Sequence, residues 1–153
     1  MFERDYILRL VKQLGALLAA ILKLKKEEQF DAALEQLQGA FPSLFGIDYR
    51  TLVGFDSKSA AQLLVDSTRI KILAQLLEEE ADIQRSRGDV ELSAAKQLHA
   101  LELSIEAAQR SSTNAEISAS IARLSSQVEL TDLAEQYREW LRSHPEPPMT
   151  KHR

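Results

Sequence analysis

The chain has no cysteine. That absence removes disulfides, thiolate zinc sites and cysteine nucleophiles together, and it suits a reducing compartment, so the cytoplasm is the expected location. Glycine and proline are also scarce, at five and four in 153 residues. A fold of many short strands needs more of that punctuation, whereas Ala, Leu, Glu, Gln and Ser, which dominate here, favour helix. An all-α class is therefore expected. Basic charge is not in excess: the net charge is -4 and the pI is near 5.4. Broad phosphate neutralisation needs the opposite balance, which argues against nucleic acid as a partner.

Long hydrophobic runs are missing too. The strongest, "LGALLAAIL" from Leu14 to Leu22, is far shorter than the roughly 20 residues a membrane span requires, and it ends in Lys23 and Lys25. No membrane partner is expected. Glu3 and Asp5 precede the run and "KLKKEE" follows it, which is not the pattern of a signal peptide. Glycine-rich phosphate loops are absent, since "LGALLA" and "RGDVEL" hold single glycines without a following Lys-Ser or Lys-Thr. Ser111, Ser112, Ser125 and Ser126 lack the surroundings of a nucleophile elbow, and His99 is the only histidine before the last ten residues.

What the sequence does have is helical periodicity. From Phe2 to about Lys26, Tyr6, Leu10, Leu14, Leu17, Leu18, Ile21 and Leu24 recur at three- and four-residue steps, which predicts a long first helix. Gly15, Ala16, Ala19 and Ala20 in its middle favour close approach of another backbone. After the charged joint "EEQFDAALEQL", a second stripe of Phe30, Ala33, Leu34, Leu37, Ala40 and Phe41 runs into Pro42. Ala33 supplies the small contact residue of an antiparallel hairpin, and Phe30 plugs its corner.

"PSLFGIDYRTLVGFDS", from Pro42 to Ser57, reads as a connector with buried anchors. Within it Asp48 can cap a short turn through Val53, and Asp56 or Ser57 can cap the helix that follows. That helix is expected to run unbroken from Ala60 to Arg87, with "EEEAD" facing largely outward. "SRGDVELSAAKQL" then forms a second corner: Gly88 and Asp89 break the helix, Val90 plugs the joint, and Ala94 or Ala95 opens the returning stripe of Leu98, Leu101, Ile105 and Ala108. Thr113 with Glu116 matches a capping box, and Asp132 with Glu135 suggests the start of a last helix carrying Leu133, Tyr137, Trp140 and Leu141. Residues 1–143 are expected to form one helical domain of about five or six helices. The tail, 144–153, holds three of the four prolines and is expected to be disordered.

A long helix, a short polar joint and a returning helix with Ala and a large apolar residue resemble tetratricopeptide repeats. Phe30, Ala33, Leu37 and Ala40 look like the aromatic, small, apolar and small positions of that repeat, and Gly88 with Asp89 looks like its turn, although Ala94 arrives one position late. "MFERDYILRLVKQL" also resembles the start of a group of uncharacterised bacterial proteins of that fold. The resemblance implies a bacterial, cytoplasmic array of antiparallel helical hairpins that binds a protein or peptide in a concave groove. The Lys, Arg and Asn set with which some such repeats clamp a terminal carboxylate is not found.

Candidate chemistry is sparse. His99, Glu102 and Glu106 share a face, but a di-metal bundle needs a second such set, and His144 and His152 lie in the tail. A half-buried helix histidine is the preferred reading of His99, so no metal, cofactor or catalytic residues are assigned. Glu78, Glu79, Glu80 and Asp82 could meet a basic partner, and Arg69, Lys71, Arg85 and Arg87 an acidic one, though charge at a helix end is more often a solvated face. Trp140 and Tyr137 read as core anchors before partner anchors. The expected function is a non-catalytic interaction or scaffold module, with self-association left open. The alternatives are a small-ligand-binding protein or enzyme with a site between helices, which a pocket converging on His99 would favour, and a nucleic-acid-binding regulator, which a basic stripe would mark.

Overall fold

The computed structural model describes residues 2–111 and 114–144, and among these the regular structure is helical throughout. The first helix, α1, spans Phe2–Lys26 and the second, α2, Phe30–Gly39. Between them Glu28 adopts the left-handed conformation at φ 59. The Gln29 amide donates back to the Leu24 carbonyl at 2.8 Å and the Glu28 amide to Lys25 at 2.9 Å, satisfying the carbonyls that the helix end leaves open. Ala33, Leu37 and Phe41 are fully buried beyond this corner and Phe30 packs partly buried beside them, as the hairpin reading expects.

The expected connector is itself helical, which is why the helices outnumber the five or six anticipated. Short helices α3 (Phe41–Phe45) and α4 (Tyr49–Val53) precede α5 (Ser57–Leu64). Pro42 lies in the first turn of α3, where its missing N–H costs nothing. Asp48 caps α4 by accepting from the Thr51 amide, and Asp56 caps α5 by accepting from Ser59. The long helix expected over Ala60 to Arg87 is broken: Val65 takes φ 72, and α6 runs from Ser67 to Ser86 behind a new cap, Asp66. Arg69 holds the break, its guanidinium donating to the carbonyls of Leu64 at 3.2 Å and Phe45 at 2.8 Å. The apolar stripe continues across this corner, so periodicity alone did not reveal it.

The α6–α7 corner repeats the first bond for bond. Gly88 is left-handed at φ 90, the Asp89 amide donates to Gln84 at 2.9 Å, and Gly88 to Arg85 at 3.0 Å. Helix α7 then spans Val90–Gln109. Two expectations fail here. Val90 is 66% exposed and plugs nothing, and Ala94 and Ala95 both face solvent. The small contact residue is Ser93, buried, its hydroxyl donating to the Ala81 carbonyl at 2.6 Å. Ser93 stands third after the first residue of α7, as Ala33 does in α2, so a hydroxyl satisfied by a backbone carbonyl occupies the place an alanine was sought for.

Helix α8 (Ala115–Ser125) is capped by Asn114, which accepts from the Ile117 amide, in place of the expected Thr113, which lies outside the described residues. A 3-10 turn at Leu130–Asp132 precedes α9 (Glu135–Ser143), which begins without a side-chain cap, later than Asp132. Tyr137 is buried and Trp140 packs partly buried on the core, both consistent with core anchors. The tail expectation falls on 145–153, outside the described residues. His144 is described and stacks on Trp140, with ring centroids 4.1 Å apart. One connected core runs from Leu10 to Tyr137, with α6 packed against α1, α2, α5 and α7.

Candidate functional site

Helix α6 is the floor of one groove. Its neighbours across the opening are α1 on one side and α8 on the other, and Val11, Leu14, Ile72, Ala74 and Ile117 give the groove an apolar base. The volume is about 770 Å³. Ion pairs fix the helices around it. Lys71 pairs with Glu116, and Arg123 donates to Glu78 at 2.7 Å. The two bridges leave each helix two turns apart in the same order, so α6 and α8 run in the same direction. Lys25, in the last turn of α1, reaches Glu79 at 3.3 Å and also Asp82. Burial alone would depress the Lys25 ammonium, but the Asp82 hydrogen bond and the Glu79 charge hold its pKa above the usual value.

Members of both charged sets of the sequence line this groove, and Arg85–Asp82 pairs one set with the other. Glu78, Glu79, Asp82, Lys71 and Arg85 all line one groove, and each is paired. The remaining two cations go elsewhere: Arg69 is committed to backbone carbonyls, and Arg87 pairs with Asp31 on α2 at 3.1 Å. No continuous basic stripe results from that set.

Glu80 departs from the expectation that "EEEAD" faces outward: it is 1% exposed. Its carboxylate accepts from the Tyr49 hydroxyl at 2.5 Å and from Gln38 at 3.3 Å, while Lys96 lies 3.6 Å from its other oxygen. Lys96 also donates to the Tyr49 oxygen at 2.9 Å. Burial, then the Glu80 carboxylate, pushes the Tyr49 phenol well above its ordinary pKa. This cluster joins α2, α4, α6 and α7 and does not open into the groove. A charge run on the sequence hides it, because the inward member of "EEEAD" is visible only once Tyr49 and Lys96 are known to face it.

His99 does not line the groove. It is half-buried on α7, and burial, with the Lys96 ammonium adding, pushes its imidazole down to about 4. Its supposed co-ligands are engaged by protein donors. Glu102 accepts from Ser57 at 2.7 Å, and Glu106 accepts from Tyr137 at 2.6 Å and Arg110 at 2.8 Å. No group of three acidic or histidine side chains is placed to hold a metal among the described residues, and no helix there is long and apolar enough to cross a membrane. Compared with protein-family models, curated proteins and solved structures, the chain matches none.

Proposed function

We propose that the chain is a non-catalytic, cytoplasmic interaction module whose groove across α1, α6 and α8 receives a segment of another protein. In this reading α1–α2 and α6–α7 are two copies of one hairpin stacked in a tetratricopeptide-like array, and α8 begins a third. The observation that carries it is the shared corner: left-handed residue, backward amide bonds and buried small residue recur in the same order at Glu28–Ala33 and Gly88–Ser93. Stacking such hairpins sets their first helices side by side and leaves a concave face. The groove supports a peptide better than a small charged ligand, because its charged side chains are already in ion pairs, and its apolar base is flanked by amide and hydroxyl groups such as Gln75 and Thr68 that suit a peptide backbone.

Affinity capture from the source cell, compared between the wild type and Ala119→Arg, tests this. Ala119 is exposed and lines the groove, so the substitution fills the groove without disturbing the core. A protein captured by the wild type and lost with a still-folded Ala119→Arg supports the reading. Equal capture by both, or a small metabolite that co-purifies in place of any protein, overturns it.

A further inference from the structure

The break between α5 and α6 consists of Val65 and Asp66 alone, with neither glycine nor proline. Val65 takes φ 72 and ψ -62, and the Asp66 amide donates across it to the Leu64 carbonyl at 2.9 Å. Those angles and that bond make a γ-turn of the rare, strained hand. Among the described residues with positive φ, Val65 is the one with a β-branched side chain. That side chain is 68% exposed, so packing gives the strain little in return. Polar bonds hold the turn: Asp66 accepts from the Arg69 amide at 2.9 Å, and the Arg69 guanidinium donates to the Leu64 and Phe45 carbonyls. A continuous helix would supply backbone partners for two of these groups, the Arg69 amide reaching the Val65 carbonyl and the Leu64 carbonyl accepting from Thr68. Leu63, one heptad before Ile70 and two before Leu77, is 46% exposed although both of those are fully buried. Straightening returns it to their face.

A straight helix also separates the two parts of the chain. At about 100° per residue it sets Leu64 and Leu73 on opposite sides, so the buried face of α5 turns away from the core that α6 faces. The surface that fits Ala60, Ala61 and Leu64 lies on α7. Once the helix is straight, that surface is in reach only on another copy. We infer that the chain dimerises by exchange: α5 and α6 fuse into one helix from Ser57 to Ser86, and the part of each copy before the break packs on the part of the other after it. A short hinge under strain favours such an exchange. The contacts that cross the break are remade between copies, among them Lys25 with Glu79 and Asp82, Tyr49 with Glu80, and Ser57 with Glu102. The groove is rebuilt as well, with α1 from one copy and α6 and α8 from the other.

The full chain refolded from urea at near-millimolar concentration is expected to yield a dimer, separable by gel filtration from the monomer obtained at micromolar concentration. A carbodiimide joins touching lysines and carboxylates, and two native pairs report on the exchange. Lys25 with Asp82 spans the break, whereas Lys71 with Glu116 lies wholly after it. In a dimer refolded from equal amounts of light and heavy-isotope chains, Lys25–Asp82 links should be of mixed isotope as often as uniform, and Lys71–Glu116 links should be uniform. Val65→Gly relieves the turn and weakens the fused helix, so it should lower the dimer-to-monomer ratio about tenfold with the monomer's circular dichroism unchanged. Asp66→Ala removes the cap of α6 and favours the fused helix, so it should raise that ratio about tenfold. A monomer under every condition, a dimer whose Lys25–Asp82 links are all uniform, or a Val65→Gly chain that dimerises as readily as the wild type overturns the proposal.

Discussion

The Tyr49 hydroxyl donates to the Glu80 carboxylate across 2.5 Å, and Lys96 lies 2.9 Å from that same phenol oxygen and 3.6 Å from the second carboxylate oxygen. With Gln38 also donating to Glu80, four helices, α2, α4, α6 and α7, are thus tied through one buried anion. Tyr49→Phe removes a donor to a buried charge and should cost about 2 kcal/mol. Lys96→Met leaves that charge without its cation and should cost about 3 kcal/mol. Replacing both ions, as Glu80→Leu with Lys96→Met, should cost less than Lys96→Met alone, because no orphan charge remains. Urea denaturation of the set as a double-mutant cycle checks the coupling, and strictly additive costs would contradict it.

The two corners make a second comparison. Ala33→Leu and Ser93→Leu both force a large side chain into a fully buried contact, and each should cost about 1–3 kcal/mol. Phe30→Ala removes a partly buried ring and should cost about 2 kcal/mol, less than a fully buried Phe would. Val90→Ala and Glu35→Ala, on exposed positions, should stay within about 0.5 kcal/mol. If Val90→Ala proves as costly as Phe30→Ala, the asymmetry between the corners is wrong.

That asymmetry marks where the sequence was legible. The bounds of α1, the first corner and the cap at Asp48 follow from apolar period and local side-chain chemistry, and the structure agrees with each; for α5 the sequence left Asp56 and Ser57 open, and the cap is Asp56. Ser93 was missed because a small-residue search looks for alanine, while a serine is equally small and its hydroxyl is absorbed by the Ala81 carbonyl. The α5–α6 break was missed because the apolar stripe continues across it; the Asp66 cap was a local signal for it, while the Arg69 bond to the Phe45 carbonyl, which also holds it, depends on the fold. The groove was legible only as two separate charge sets, since which acid on α6 meets which base on α8 depends on helices distant in sequence being brought side by side.

Divalent metal should leave the melting temperature unchanged. His99, Glu102 and Glu106 lie on one face of α7, but coordination would compete with the bond from Ser57 to one oxygen of Glu102 and with those from Arg110 and Tyr137 to the two oxygens of Glu106. A ligand that binds only the folded state raises stability by mass action, so thermal unfolding with zinc, manganese or iron is a direct measure. A stoichiometric rise abolished by His99→Ala would show that those bonds do yield.

Acid should destabilise the fold through His99. Its folded pKa, near 4, lies below the ordinary 6.5, chiefly from burial, with Lys96 adding and Asp56 opposing. As pH falls through 6.5 the unfolded chain takes up a proton that the folded one refuses, so stability is lost progressively down to about pH 4 and no further from this group. The loss should be about 2 kcal/mol, less than the full shift implies because the ring is partly exposed. Asp48, Asp56, Glu116 and Glu135, whose pKa values are lowered by hydrogen bonds to Thr51, Ser59, Lys71 and Arg142 respectively, add their own loss at the acid end. The His99 contribution is therefore read as a difference. Urea denaturation of the wild type and His99→Gln at pH 7, 5.5 and 4.5 should show the wild type falling more steeply between the first two values. Parallel curves there would mean that the imidazole gains a proton in the folded protein as readily as in the unfolded one, and that burial on α7 does not hold it neutral.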